Sequence, residues 1–213
     1  MIEMIFFDFD GVIVESVDIK INAFAKLFES EGEDAVKKVV DYHLRNMGVS
    51  RYDKFRYIYR EILKRPLNDK RFEMLCNEFA AIVVDDVIEA PYVKGAKEFL
   101  ENDASKYKCF VVSATPQREL EEIIRRRNIS RFFKAIYGAP LAKTDIIKDI
   151  LIKERVEPIK AMYIGDALSD YIAAKDNSVK FIVRINKNES TFENIDCIKV
   201  NDLTNLDKII ETL

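Results

Sequence analysis

A chain of 213 residues, 48% hydrophobic and 33% charged, is long enough for one large domain or a core with a smaller companion, and too apolar for disorder. A net charge of −3 gives no general attraction to nucleic acid, and no run approaches the roughly 18 apolar residues of a membrane span. Three widely spaced cysteines, Cys76, Cys109 and Cys197, point to reduced thiols in a cytoplasmic protein, and the acidic, strand-like start lacks the pattern of a secretory signal.

The chain opens with an apolar run, MIFFDF at 4–9, that ends in Asp8 and Asp10 and is followed at once by Gly11. Burying a carboxylate costs several kcal/mol unless it is paired or binds a metal, so two at the end of a core strand call for an explanation. About 75 residues of helical pattern follow, far more than a crossover between strands needs. VDIKINAFAKLFESEG, DAVKKVVDYHLRNMG, SRYDKFRYIYREILKRP and NDKRFEMLCNEFAAIVVDD make four candidate helices, split at Gly32, Gly48 and Pro66. Short loops between them favour a small bundle. Phe24, Phe28, Tyr52, Phe55, Tyr59, Phe72 and Phe79 recur near helical spacing and are its expected core.

Beyond Pro91 and Gly95, a hinge-like return, strands and helices alternate. KCFVV (108–112) precedes TPQRELEEIIRRRN, read as a helix capped by Thr115 with Pro116 at its first position. KAIY (134–137), AMYI (161–164) and KFIVRI (180–185) are further strands, and KTDIIKDILIKER, LSDYIAAKDN and TNLDKIIETL further helices. The strands are mostly continuous apolar runs, as in a parallel sheet covered on both faces. The expected fold is therefore a doubly wound α/β core at 1–14 and 89–213 with an all-helical insert at 15–88.

Four positions at or just after strand ends carry chemistry. Asp8 and Asp10 lie two apart and so share one side of a strand end, with Gly11 allowing a sharp turn. Ser113 follows the second strand next to a helix start, whose free amides suit an anion. Lys143 begins a helix, an unfavourable place for a cation unless an anion is near. Asp166 and Asp170 follow the strand that ends at Gly165. Each has an ordinary reading on its own: a turn, a cap, a surface lysine, a capping acid. Together they converge on the carboxyl edge of the sheet, where open α/β folds bind ligands, with the donors for a hard divalent cation such as magnesium and a phosphate.

With these residues in place the sequence resembles the haloacid dehalogenase superfamily, in the branch of phosphatases with a helical cap inserted after the first strand. Asp8-Phe9-Asp10-Gly11-Val12 matches its D-x-D-G-[TV] motif, Ser113 and Lys143 match the second and third motifs, and Gly165-Asp166 with Asp170 matches G-D-x-x-x-D. Ala114 stands where many relatives carry Asn, and Thr144 where Pro is frequent after the lysine. The resemblance implies that Asp8 attacks phosphorus and forms an aspartyl-phosphate, and that Asp10 is the general acid and base. It implies magnesium held by Asp8, the Asp10 backbone carbonyl and Asp166, with Asp170 supporting the metal. It also implies phosphate binding by Ser113, Lys143 and the backbone at Gly11 and Ala114. An acid two residues after the nucleophile favours phosphate esters over halides, because an alkoxide leaving group needs a proton.

Within the insert, HLRNMGVSRYDKF resembles the Gly-x-Ser-Arg loop by which capped relatives of the sugar phosphomutase type reach their substrate. Arg51 and then Lys54 are the expected substrate contacts. His43, the only histidine, is expected at the surface or partly packed, and Arg125–Arg127 as a solvated helix end. The expected partner is a small phosphorylated metabolite, with neither nucleic acid nor membrane; monomer and dimer both stay open. A sugar phosphomutase using the same intermediate, and a phospho-accepting receiver domain, are the alternatives. The long insert and Asp10 count against the second.

Overall fold

Backbone hydrogen bonding in the computed structural model, which describes residues 1–186 and 189–213, builds a six-stranded parallel sheet in the order β3-β2-β1-β4-β5-β6. The strands are β1 (Met4–Phe7), β2 (Lys108–Pro116), β3 (Ala135–Ala139), β4 (Ala161–Gly165), β5 (Lys180–Arg184) and β6 (Ile198–Val200). Ten α-helices are described: α1 (Val17–Leu27), α2 (Glu33–Arg45), α3 (Arg51–Tyr57), α4 (Asp69–Glu89), α5 (Ala96–Asn102), α6 (Gln117–Arg126), α7 (Lys143–Glu154), α8 (Leu168–Asp176), α9 (Glu189–Phe192) and α10 (Leu206–Glu211). The central strand β1 pairs with β2 on one side and β4 on the other, so Phe7 stands level with both Val111 and Ile164.

Alternation along β1 splits the core in two. Ile5, Phe7 and Phe9 join Val111 and Ile164 under α5, α6 and α10, whereas Met4 and Phe6 join Val112 and Tyr163 under α7 and α8. Burial on both faces is why these strands read as unbroken apolar runs. The first cluster continues into the helices between β1 and β2, through Phe24, Phe55, Leu75, Phe79 and Val83. On α4 the last three recur every four residues, the stripe that a helix turns toward a core. Tyr52 and Phe72 are only half buried and pack on each other at a centroid distance of 5.8 Å. Two short crossing segments join this helical region to the sheet: Glu15 N donates to Pro91 O (2.9 Å) and Val93 N to Ile13 O (3.0 Å).

Several expectations are corrected. β2 runs through Pro116 and α6 begins at Gln117, so Thr115 is a strand residue and caps nothing. Its hydroxyl is committed to Asp10 instead. The third helix of the insert is α-helical only to Tyr57 and widens into a five-residue π turn at Ile58–Ile62. β6 was not expected; at three partly exposed or exposed residues it is too short to show a periodicity.

Arg127 is no solvated cation. Its Nη1 donates to the carbonyls of Val87 (3.0 Å), Ile88 and Ala90 (2.8 Å), closing the C-terminus of α4, and its guanidinium lies 4.3 Å from the Tyr92 ring centroid. A cation on the last carbonyls of a long helix satisfies groups that otherwise lack partners. Arg127→Ala is expected to cost about 1–3 kcal/mol in a urea titration, while Arg125→Ala, at an exposed i,i+3 pair with Glu122, should stay within about 0.5 kcal/mol.

Candidate active site

Asp8 is the first residue past β1, and its amide still donates to Ile164 O (2.9 Å), so β4 holds it in line with the strand. Its Oδ1 accepts from Phe9 N at 2.7 Å. Lys143, the first residue of α7, is buried and stands between two acids, with Nζ 3.2 Å from Asp8 Oδ2 and 2.5 Å from Asp170 Oδ1. Asp170 also receives the amides of Asp166 (3.2 Å) and Ala167 (3.0 Å), and so closes the start of α8 from within its first turn. Asp166 is therefore not the capping side chain. The Tyr163 hydroxyl lies 2.9 Å from Asp170 Oδ1 and 2.8 Å from Val112 O, fixing the acid from below.

One carboxylate oxygen each from Asp8, Asp166 and Asp170 falls within 4.8 Å of the others, and all three residues are buried. Gly11, at φ +75°, passes directly over this group, and a Cβ there would collide with Asp166 Oδ2. Only glycine serves at that turn, since both the backbone angle and the space exclude a side chain.

The electrostatics follow from burial. Desolvation raises the Asp8 carboxyl to about 6, with Asp170 and Asp10 adding to the rise and Lys143 opposing it. Burial, then Asp8 and Asp170, push Asp166 well above its ordinary range. Burial would depress Lys143, but Asp170 and Asp8 outweigh it and hold the amine above its ordinary value. The chain thus gathers more buried negative charge than one lysine neutralises. Three hard oxygen donors within one short reach, two of them raised toward protonation by burial and by their acidic neighbours, fit a divalent cation.

Asp10 is treated differently. Burial opposes its ionisation, but Lys20, Ser16 and Thr115 together hold it below its ordinary value. Ser16 Oγ donates to Oδ1 (2.6 Å), and Thr115 Oγ1 (2.8 Å) and Lys20 Nζ donate to Oδ2. Two acids of one turn are thereby driven in opposite directions. Lys20 was not singled out in the sequence, and Thr115 was read only as a helix cap. Lys20 sits on an amphipathic helix and Thr115 at an expected cap, and neither position carries a local signal.

Ser113 and Ala114 line the same cavity, with Ser113 buried and its Oγ accepting from Thr115 N at 3.2 Å. The insert forms the opposite wall through Phe24, His43, Met47, Gly48, Arg51 and Lys54. The loop around Gly48 presses on the start of α8, where a Cβ on Gly48 would lie 2.7 Å from Ala167 Cβ. Arg51 is brought to the cavity, but Nη1 and Nη2 bind Glu119 of α6 at 3.0 and 2.6 Å, a partner that the sequence reading missed. Lys54 Nζ contacts His43 Nδ1 (2.9 Å) and donates to Met47 O (3.1 Å). His43 is therefore no surface residue. It is buried, stacked on Phe24 at 4.5 Å, and driven to about 2 by desolvation and then by Lys54, so the ring is neutral. The cavity has a volume of about 60 Å³.

Among the described residues no helix is long and apolar enough to cross a membrane, and Cys76, Cys109 and Cys197 are free thiols.

The chain is 28% identical over 186 residues to a phosphorylated carbohydrates phosphatase of Thermotoga maritima, covering 84% of this chain and 83% of that protein. Its fold is similar to beta-phosphoglucomutase of Clostridium difficile (TM-score 0.79, 21% identity, 99% and 96% of the two chains). It is similar also to CbbY of Rhodobacter sphaeroides in complex with phosphate (TM-score 0.75, 18% identity, 97% and 96%). Residues 5–184 match the haloacid dehalogenase-like hydrolases as a family, and with the acids, lysine and hydroxyl of that region meeting at one sheet edge, the chain belongs to it.

Proposed function

We propose that this protein is a magnesium-dependent phosphatase acting on a small-molecule phosphate monoester, with Asp8 as nucleophile and Asp10 as general acid and base. The observation that carries the reading is the meeting of these groups at one sheet edge: a buried Asp8 beside Lys143, Asp166 and Asp170, with Asp10 two residues on and bound by Ser16, Thr115 and Lys20. An Asp8 oxygen forms a bond to phosphorus as the ester P–O bond breaks, and Asp10, protonated when the ester is bound, gives that proton to the departing alkoxide and is left ionised. Asp10 then takes a proton from water as its oxygen attacks the aspartyl-phosphate and frees Asp8. Ser113, Lys143 and the amides near Gly11 and Ala114 are placed to hold phosphate oxygens, with the hold tightening as charge develops.

Asp8, Asp166, the Asp10 carbonyl and, directly or through its neighbours, Asp170 would hold the magnesium ion. Bound there, it supplies the positive charge that lets one anion approach another. The division into a core at 1–14 and 89–213 and a helical cap at 15–88 belongs to this reading. Closure of the cap over the core would screen the bound ester from water.

The test is a magnesium assay for released inorganic phosphate over a panel of phosphorylated metabolites. Turnover is expected with magnesium and is lost with excess chelator. A phosphomutase, the second reading suggested by the fold's likeness to beta-phosphoglucomutase, would isomerise a sugar phosphate and release almost no free phosphate.

A further inference from the structure

Arg51 reaches the cavity from the cap, yet its charge is already matched. Its side chain is 5% exposed, two of its N–H groups bind both oxygens of Glu119, and the guanidinium lies 4.4 Å from the centroid of Phe79. Paired, planar arginine–carboxylate contacts of this kind are among the strongest in proteins, and a rival anion would have to displace Glu119 to use the charge. The remaining N–H groups keep their direction and lose their pull on anions, a state suited to hydroxyl oxygens.

Among the described residues the lysines around the site are engaged as well, two of them by acids. Lys20 is bound to Asp10, and Lys143 to Asp8 and Asp170. Lys54 is held between His43 and the Met47 carbonyl. Asp8, Asp10 and Asp166 line the cavity, with Asp170 and Lys143 packed against Asp8 behind them. Phe24 and Phe79 supply apolar wall.

Resting on the phosphatase reading, we infer that Glu119 is a specificity-determining residue. By neutralising Arg51 it confines the site to monophosphate esters of uncharged polyhydroxy compounds and rejects substrates that carry a second phosphate or a carboxylate. Glu119 lies on a core helix and Arg51 on the cap, so the selection operates as the two close on the ester.

The experiment compares kcat/KM, by phosphate release, for a hexose monophosphate, a hexose bisphosphate and 2-phosphoglycolate. The intact protein should favour the monophosphate. Glu119→Gln, which unmasks the Arg51 charge, should move the ratio about tenfold toward the two doubly anionic esters. Arg51→Gln, which removes the guanidinium and leaves the Glu119 carboxylate without its partner, should move it the other way, and this variant decides the matter should Glu119→Gln fail to fold. An intact protein that prefers a doubly anionic ester, or ratios unmoved by these variants, overturns the inference. Release of phosphate from an aryl phosphate in that case leaves the phosphatase reading standing. Silence on every ester removes both.

Discussion

Asp8→Asn should reduce phosphate release by about 10⁴-fold or more while leaving a protein as stable as the original, or slightly more so. The amide keeps the shape of the carboxyl and can still accept from Phe9 N, but its oxygen is not a nucleophile toward phosphorus. The stability half of the expectation comes from burial. With its carboxyl raised from 3.8 to about 6, Asp8 pays for ionisation at pH 7 with roughly 3 kcal/mol of folding free energy, an order-of-magnitude figure. The neutral variant avoids that cost. It gives up a 3.2 Å contact with Lys143, but the lysine keeps its 2.5 Å partner in Asp170. A thermal melt at pH 7 beside the activity assay checks both halves, and an active variant would remove Asp8 from its role.

The features legible in the sequence are those whose cause is local. Buried parallel strands need apolar side chains on both faces, so β1, β2, β4 and β5 announce themselves as unbroken runs, and each puts its polar residue where the run stops. Asp8, Ser113 and Asp166 could be placed for that reason. Illegible were the partners that reach the same pocket across long separations. Lys20 meets Thr115 across 95 residues, Thr115 meets Asp10 across 105, and Arg51 meets Glu119 across 68. In the chain, Lys20 and Glu119 look like any solvated helix residue, and only the folding of the insert onto the sheet gives them partners. Arg127 misled for the same reason, because its acceptors belong to a helix end 37 to 40 residues earlier. A hydroxyl before a proline looks like a helix cap, and nothing nearby reveals that the Thr115 hydroxyl is claimed by an acid in another strand's turn.

Removing the one cation at the centre of the acid cluster should have the largest effect on stability. Lys143→Met leaves Asp8 and Asp170 without their buried partner, and breaking such an arrangement from one side costs about 3–5 kcal/mol, which at this chain length lowers the melting temperature by about 10 °C. The pH dependence distinguishes this electrostatic cause from simple loss of packing. Asp8 has a folded value of about 6 against an ordinary 3.8, so its protonated form is the stabilised one. Its contribution is complete below about pH 4 and is lost as pH rises through 6; Asp166, raised in the same sense, adds to the trend. Lys143 is itself held above its ordinary 10.5, so its charge is constant over this window. Without it the carboxyls move further up, and the gap between variant and parent should widen from pH 4 to pH 7. Urea unfolding in chelator at pH 4.5 and pH 7.5 measures that gap, and added magnesium at pH 7.5 should recover part of it, because a divalent ion supplies the missing charge. A gap independent of both pH and magnesium would mean that Lys143 serves only to fill space between β1 and α7. The acids would then not be held in mutual repulsion, and the case for a cation among them would lose its electrostatic ground.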